Sequence, residues 1–448
     1  MRTTRGPFAL ASALTFVFAA VVASACDSGD DEQPMPNPAD TGDAGVSEAG
    51  VTDAGTRDTS TDAPEELVDA SAELITCTVT PCAVEIAAGA ESVCVRLNDG
   101  VVSCWGSNAA GALGRGADAS SQSSAPAPVD GLGDATQISG SASVPGDTYC
   151  ALRAGGAAVC WGSNTNGVLG RVDHEGEVIT ESSPVPAPVA GIGAASAVAA
   201  GYFVSCALLA GNDVACWGSN DAAQLPSSPH RPGIPLPATT FALDSAPKQL
   251  GVADRGTVAL TDTGLVSWGL QGDLLGPNTG VLGREVSTET ATPAKIELAH
   301  VAAIAASKGR VCAIANGRVY CWGAGQTAGS DSVYPAYVGV GGPIAHAQTV
   351  AVGPRSACAT LSDGSAWCWG DNSRGQLGVG NAELQPVPVR VQKLAGRPVR
   401  MAVMEATTCA ILSSGAVQCW GQNDKGQLGT GAADALPYLD PQNVVLTP

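Results

Sequence analysis

Ala357-Cys-Ala-Thr-Leu-Ser-Asp-Gly-Ser-Ala-Trp-Cys-Trp-Gly-Asp-Asn-Ser-Arg-Gly-Gln-Leu-Gly378 decides the fold, because the chain repeats it. A near copy runs Thr408-Cys-Ala-Ile-Leu-Ser-Ser-Gly-Ala-Val-Gln-Cys-Trp-Gly-Gln-Asn-Asp-Lys-Gly-Gln-Leu-Gly429. The Trp-Gly pair occurs at Trp105, Trp161, Trp217, Trp268, Trp322, Trp369 and Trp420, at spacings of 56, 56, 51, 54, 47 and 51 residues. A period near 50 marks a repeat architecture in which each unit needs its neighbours to bury its apolar faces. Among 448 residues, 56 Gly and 29 Pro fit short strands joined by many turns. Sustained helical periodicity is absent after the first 25 residues.

The cysteines follow the same period. Of 15 Cys, Cys26 stands alone and 14 fall in near pairs. Six pairs end immediately before a repeat Trp: Cys94 with Cys104, Cys150 with Cys160, Cys206 with Cys216, Cys312 with Cys321, Cys358 with Cys368 and Cys409 with Cys419. The seventh is Cys77 with Cys82. The fourth repeat has lost both members together, with Val258 and Ser267 in their places, as partners in one bond would. In the first repeat Asn98-Asp99-Gly100 reads as a three-residue hairpin turn, and counting outward sets Cys94 opposite Cys104. In the fifth, Asn316-Gly317 shortens the turn and the Cys spacing alike, so Cys312 again faces Cys321. Disulfides are therefore expected at all seven pairs, each contributing roughly 2–3 kcal/mol by the chain-entropy model. A zinc site lacks the close Cys knuckle it would need. Paired cysteines imply an oxidising compartment.

The amino terminus agrees. Arg2 and Arg5 precede an apolar run from Ala9 to Ala25, so residues 1–25 read as a signal peptide. Ala23-Ser24-Ala25-Cys26 resembles a bacterial lipobox, which makes Cys26 the expected lipidation site and membrane anchor. Ala23 departs from the Leu or Val that motif prefers, and plain secretion stays open. Residues 26–76 are expected to be a disordered Asp/Ala/Gly-rich stalk; 26–75 holds 14 acidic side chains and one basic, Arg57. Beyond it 28 acidic face 19 basic residues, which gives no electrostatic footprint for nucleic acid.

The repeat, with its Cys-Ala-Leu, Asp-Gly, Trp-Gly-x-Asn and Gly-Gln-Leu-Gly elements, resembles the regulator of chromosome condensation repeat. That resemblance covers roughly 77–448 in seven copies and implies an all-β, seven-bladed propeller with four-stranded blades. The third copy departs at Gln224-Leu225-Pro226, and the fourth lacks the Asn after Trp268. Copies two to seven carry a Pro/Val segment before the Cys hairpin, such as Pro386-Val-Pro-Val389, and the first does not. The tail from Leu436 to Leu446 resembles the missing segment and is expected to close blade one.

No nucleophile elbow, phosphate loop, zincin motif or calcium loop is present, and His174, His230, His300 and His346 sit in separate repeats. The chain is expected to be non-enzymatic and monomeric, with no cofactor and no metal. A residue repeated at one position of every blade serves blade packing, so the variable loop before each Cys hairpin is the candidate binding surface. Its candidates are Glu91, Asp147, Tyr149, Tyr202, Phe203, Lys308, Arg310, Arg355 and Glu405. The leading expectation is a cell-envelope lipoprotein binding a protein or surface glycan. Two alternatives come with the resemblance: a secreted inhibitor of an extracellular or periplasmic enzyme, and a guanine-nucleotide exchange regulator by fold analogy alone.

Overall fold

The computed structural model describes residues 75–447 apart from 118, 143–145, 227, 229–232, 271–279, 286–289, 324–331 and 340–343. The expected signal segment 1–25, Cys26 and the stalk as far as residue 74 lie outside the described residues. Twenty-eight strands among the described residues form seven four-stranded antiparallel sheets, one per Trp-Gly repeat. Each sheet is continuous in sequence. Blade one is Ala83–Ala88, Ser92–Leu97, Val102–Ser107 and Gln122–Pro128, running from the inner to the outer strand. Blade seven is Pro398–Val403, Thr407–Leu412, Val417–Asn423 and Asp434–Asn443. The fold is a seven-bladed β-propeller.

The two middle strands of each blade are the Cys hairpin. Cys94 lies opposite Cys104 and Cys312 opposite Cys321, as the turn residues require. Both pairs are bonded with Cα atoms 4.1 Å apart, the close approach of a non-hydrogen-bonded antiparallel position. The other hairpins are bonded in the same way. Cys150 faces and bonds Cys160, and Cys206 faces and bonds Cys216. Cys358 faces and bonds Cys368, and Cys409 faces and bonds Cys419. Cys77 is bonded to Cys82 ahead of the first strand. All seven expected pairings are therefore present. In blade four Val258 faces Ser267, and the serine hydroxyl instead donates to the Leu282 carbonyl at 2.7 Å.

All seven repeat tryptophans are fully buried, each between two blades. The Trp161 indole N–H donates to the Ala112 carbonyl of the preceding blade at 3.0 Å, and Trp217 to Val168 at 2.7 Å. Trp268, Trp322 and Trp420 do the same to Gln224, Val281 and Gln376. Each acceptor precedes the Leu of a Gly-x-Leu-Gly loop or its variant. The counterpart loop facing Trp369, within 324–331, lies outside the described residues. The last Gly of the loop has positive φ and touches the indole: a Cβ on Gly378 would come within 2.7 Å of Trp420 Nε1. The Asn after Trp-Gly holds the loop from inside. Asn164 Oδ1 accepts the Leu169 amide at 2.8 Å, and Asn372 accepts that of Leu377 at 3.0 Å.

Ring closure differs from the expectation. The tail strand Asp434–Asn443 pairs with Val417–Asn423 and is the outer strand of blade seven, not a strand of blade one. Blade one takes its outer strand, Gln122–Pro128, from its own repeat. Every Pro/Val segment is thus the outer edge of the blade before it, which is why none precedes the first hairpin. Prolines suit that position, because an edge strand has unpaired N–H groups that Pro removes. Closure comes from packing and from bonds at both ends of the blade seven–blade one seam. Trp105 donates to the Gln427 carbonyl at 2.8 Å, repeating the contact made between successive blades. At the opposite end the Thr76 and Thr78 amides donate to the Ser413 and Ser414 carbonyls at 2.8 and 2.9 Å, and Ala83 donates to Gly415 at 2.9 Å.

If the closing indole bond equals those inside the ring, Trp105→Phe and Trp161→Phe should destabilise alike, by about 1–3 kcal/mol for the orphaned carbonyl. Urea unfolding of both variants checks this. A Trp105 variant with unchanged stability would show that the seam is closed by other means.

Candidate functional site

Inner strand and hairpin are joined at one end of each blade, and the loop after Trp-Gly returns at the same end. These connections form a loop face around the propeller axis. The hairpin turns lie on the opposite, turn face. The sequence candidates all fall on or under the loop face, and they divide into two groups.

Three are buried and belong to the scaffold, which corrects their reading as binding-loop residues. Asp147 is 3% exposed and is the acceptor for the blade-one loop. Its carboxylate takes the amides of Ala90, Glu91 and Ser92 at 2.6, 3.2 and 3.0 Å, and the Ser92 hydroxyl at 2.6 Å. Burial pushes this carboxyl above its ordinary value, and those four donors oppose the shift. Gly89 leaves room for it, since a Cβ there would overlap the Asp147 side chain. Tyr149 completes the clamp: its hydroxyl lies 2.9 Å from Ser92 Oγ and accepts the Gly89 amide at 3.1 Å, and its ring stacks on Trp161. Arg310 is 2% exposed in the strand Arg310–Ala315, opposite Gly323. A polar residue beside a hairpin can equally be a clamp between blades, and residue type alone does not separate the two roles.

The other six reach the surface. Lys308, Arg355 and Glu405 come from three successive blades and meet: Arg355 Nε lies 2.7 Å from Glu405 and Lys308 Nζ 3.6 Å from it. Asp371 joins at 4.0 Å from Arg355. Such exposed pairs add about 0–1 kcal/mol each, so their convergence is no requirement of stability. Tyr202 and Phe203 are half-buried, with ring centroids 4.4 Å apart. Glu91 is half-buried; burial pushes its carboxyl up, with Lys425 opposing and Asp147 and Asp424 reinforcing. A pocket of about 290 Å³ opens between blades seven, one and two, lined by Glu91, Ser107, Asp147, Glu405, Thr407 and Gln422 among others.

Sequence reading missed four rim residues. Asp254 and Arg255 form the blade-four loop, where Gly251-Val252-Ala253 replaces the Ala-Ala-Gly that flags the others. Asp371 and Lys425 follow Trp-Gly and come to the rim only because both connections return at one end. It also missed side-chain clasps around the axis. Gln137 binds both the amide and the carbonyl of Val198 in the next blade at 2.9 and 3.3 Å, and Gln249 does the same to Ile304 at 3.0 and 2.7 Å. Glu85 pairs with Arg96 and accepts the Ile138 amide. Among the described residues no group of three or more His, Cys, Asp or Glu side chains is placed to hold a metal ion. The insert Asp173-His174-Glu175 is an exposed hairpin tip closed by a Val172–Val178 bridge.

Comparison with known proteins places this geometry. The model of the regulator of chromosome condensation (RCC1) repeat matches residues 156–208 and 363–411, and a second model of the same repeat matches 195–224, 348–376 and 406–427. The chain is 30% identical over 267 residues to the ultraviolet-B receptor UVR8 of Arabidopsis thaliana, covering 55% of this chain and 57% of that one. It is 31% identical over 135 residues to the human E3 ubiquitin-protein ligase HERC2, of which it spans 3%. The chain thus spans about half or less of these relatives. Among solved structures, Prp20p of Saccharomyces cerevisiae superposes with a TM-score of 0.64 at 19% identity, over 78% of this chain and 87% of that one. Human WBSCR16 gives 0.59 at 21% identity, over 72% and 85%. At these identities the structures speak for the fold alone.

The Asp147 clamp predicts an asymmetry among the loop residues. Asp147→Asn replaces an acceptor with an amide that confronts backbone N–H groups, and should cost about 1–3 kcal/mol in urea unfolding. Arg355→Ala should leave stability within about 0.5 kcal/mol of the parent. Equal effects would mean Asp147 carries no special load.

Proposed function

Starting from a seven-bladed propeller of the RCC1 repeat type, we propose a non-enzymatic cell-envelope lipoprotein, anchored through Cys26, that binds a protein or surface glycan at its loop face. The observation that carries the reading is the meeting of Lys308, Arg355 and Glu405 from three blades on one rim. The residues that recur in the repeats are consumed by the scaffold: Trp between blades, Cys within hairpins, Asn and Gly in the loops behind them. What varies between repeats is what reaches the rim, and a paired Tyr202 and Phe203 supply the aromatic area that interfaces favour.

Seven disulfides suggest an oxidising, extracytoplasmic setting. They weigh against a cytosolic or nuclear exchange factor, whose partners sit in a reducing compartment. Thr76 donates to the Ser413 carbonyl on the turn face, at the end opposite the rim.

Two measurements test the reading. The mass of the mature protein from a Gram-negative host should correspond to cleavage before Cys26 plus acyl groups, with 14 thiols alkylated only after reduction. An unprocessed chain with free thiols would overturn the compartment. A triple variant with Tyr202→Ala, Phe203→Ala and Arg355→Ala should lose about 30-fold or more in retention on envelope material at an unchanged melting temperature, given about 2 kcal/mol for an anchor residue. Retained binding would move the site to the inserts at 171–184 and 226–247.

A further inference from the structure

The turn face carries a second feature that the rim does not explain. Arg390 ends the outer strand of blade six, Gln385–Arg390, and the connection 391–397 to the inner strand of blade seven adds Lys393 and Arg397, with no carboxylate in 390–397. From residue 76 onward the chain as a whole is acidic, with 28 acidic against 19 basic side chains. This connection borders a pocket of about 260 Å³ whose lining includes Ser365, Arg390, Gln392 and Lys393. Arg390 is exposed, and its guanidinium makes no ion pair or hydrogen bond among the described residues. Lys393 lies 2.6 Å from Asp440 of blade seven and keeps 70% of its side chain exposed. Arg397 is fixed beside the pocket by donating to the Ser362 carbonyl at 2.8 Å. Asp363 at the edge is held below the usual carboxylate range first by hydrogen bonds from Ser365, and further by the charges of Arg390 and Arg397. The local balance is three cations, Arg390, Lys393 and Arg397, against two carboxylates, Asp363 and Asp440.

We propose that this turn-face pocket between blades six and seven binds an acidic sugar residue, with Arg390 and Lys393 taking its carboxylate. An arginine fork matches a carboxylate in two parallel hydrogen bonds, and a lysine adds a mobile point charge. The Gln392 side chain lines the same pocket to meet a ring hydroxyl, while Ser365 Oγ, which donates to Asp363 and accepts from Trp367, holds the pocket wall in place. The volume is small beside the roughly 300–1,000 Å³ of pockets that enclose drug-sized ligands, and suits one sugar ring. A polar lining offers little to a lipid chain or a nucleobase. The site stands on the face opposite the rim, so it holds or fails independently of what the rim binds.

Calorimetric titration of the full mature chain with glucuronate, glucose and inorganic sulfate tests it. The expected result is glucuronate binding at least tenfold tighter than either other probe, weakened by salt. Arg390→Gln should reduce it about tenfold at an unchanged melting temperature, because that side chain is exposed and holds no structural bond. Lys393→Gln should act in the same direction. Trp367 offers a second readout: it is half-buried, its indole donates to Ser365 Oγ at 2.9 Å, and the other seven tryptophans are fully buried. Glucuronate should change its fluorescence, and Trp367→Phe should remove that change while the calorimetric heat remains. Equal affinity for glucose, equal affinity for sulfate, or an Arg390→Gln protein that binds as the parent would each overturn the proposal.

Discussion

One hydrogen bond, from a buried indole N–H to a carbonyl of the neighbouring blade, organises the whole ring. An indole brings the largest apolar area of any side chain into the seam between blades, but its N–H must find an acceptor there. The acceptor is a main-chain carbonyl turned inward by a tight loop, whose last residue in blades one, two, four, six and seven is a Gly in a left-handed conformation against the ring. Asn then holds the loop by accepting the Leu amide within it. Trp, Gly, Leu and Asn are therefore a single device, and their co-occurrence in the sequence has one cause. Repeats joined by such neighbour contacts would normally leave two exposed ends. The bond from Trp105 to Gln427 removes them.

The two irregular blades show which parts of the device are indispensable. Blade three replaces the loop's last Gly with Pro226, yet Trp268 still donates to Gln224, with Phe241 packed edge-on against it. Blade four lacks the cystine, and the Ser267 hydroxyl both donates to Leu282 and accepts from Arg284 Nε at 3.0 Å. Arg284 also bonds the carbonyls of Ser267 and Thr292, across the register break that falls at Trp268, as it does at the Trp of the other blades. Arg171 does the same for Cys160 and Val185 in blade two. The break leaves main-chain carbonyls without ladder partners, and a guanidinium supplies enough donors to serve both strands. Cystine and arginine thus reinforce hairpin and edge separately. The indole contact is the part kept in both irregular blades.

The sequence exposes these layers unequally. Hairpin register and cystine pairing are legible because a turn such as Asn98-Asp99-Gly100 fixes the strand pairing within one short segment. The same count places Cys216, Cys368 and Cys419 opposite their partners in blades three, six and seven. The Pro/Val segments are recognisable as strands but not assignable to a blade by pattern, since each lies between two hairpins and could extend either. The tail reads as part of blade one for that reason. Strand order separates the cases: each hairpin already has an inner strand directly before it, such as Pro398–Val403 in blade seven, so Gln385–Arg390 is left as the outer edge of the sheet before it. Asp147, Tyr149 and Arg310 pass for surface residues because exposure depends on partners distant in sequence. The loop that Asp147 holds lies 55 to 57 residues away. The clasps of Gln137 and Gln249 are invisible for the same reason.

The division between the two faces follows from strand polarity. Each blade sends its inner strand, hairpin and outer strand back and forth, so that two connections per blade, the loops, return at one end and two, the turns, at the other. Hairpin turns are short and tied to cystine register, and they tolerate little variation in length. The loops after Trp-Gly carry the inter-blade acceptor near their start and are unconstrained beyond it, as the hairpin insert around Asp173 shows. Variation in length therefore accumulates on the loop face, where charge from different repeats can converge, as Lys308, Arg355 and Glu405 do. The turn face gains its chemistry by composition instead. One strand end and the outer-to-inner connection after it, 390–397, bring Arg390, Lys393 and Arg397 together without inserting a residue into any hairpin. A propeller of this kind can thus carry two independent surfaces, because the residues that build the ring occupy neither.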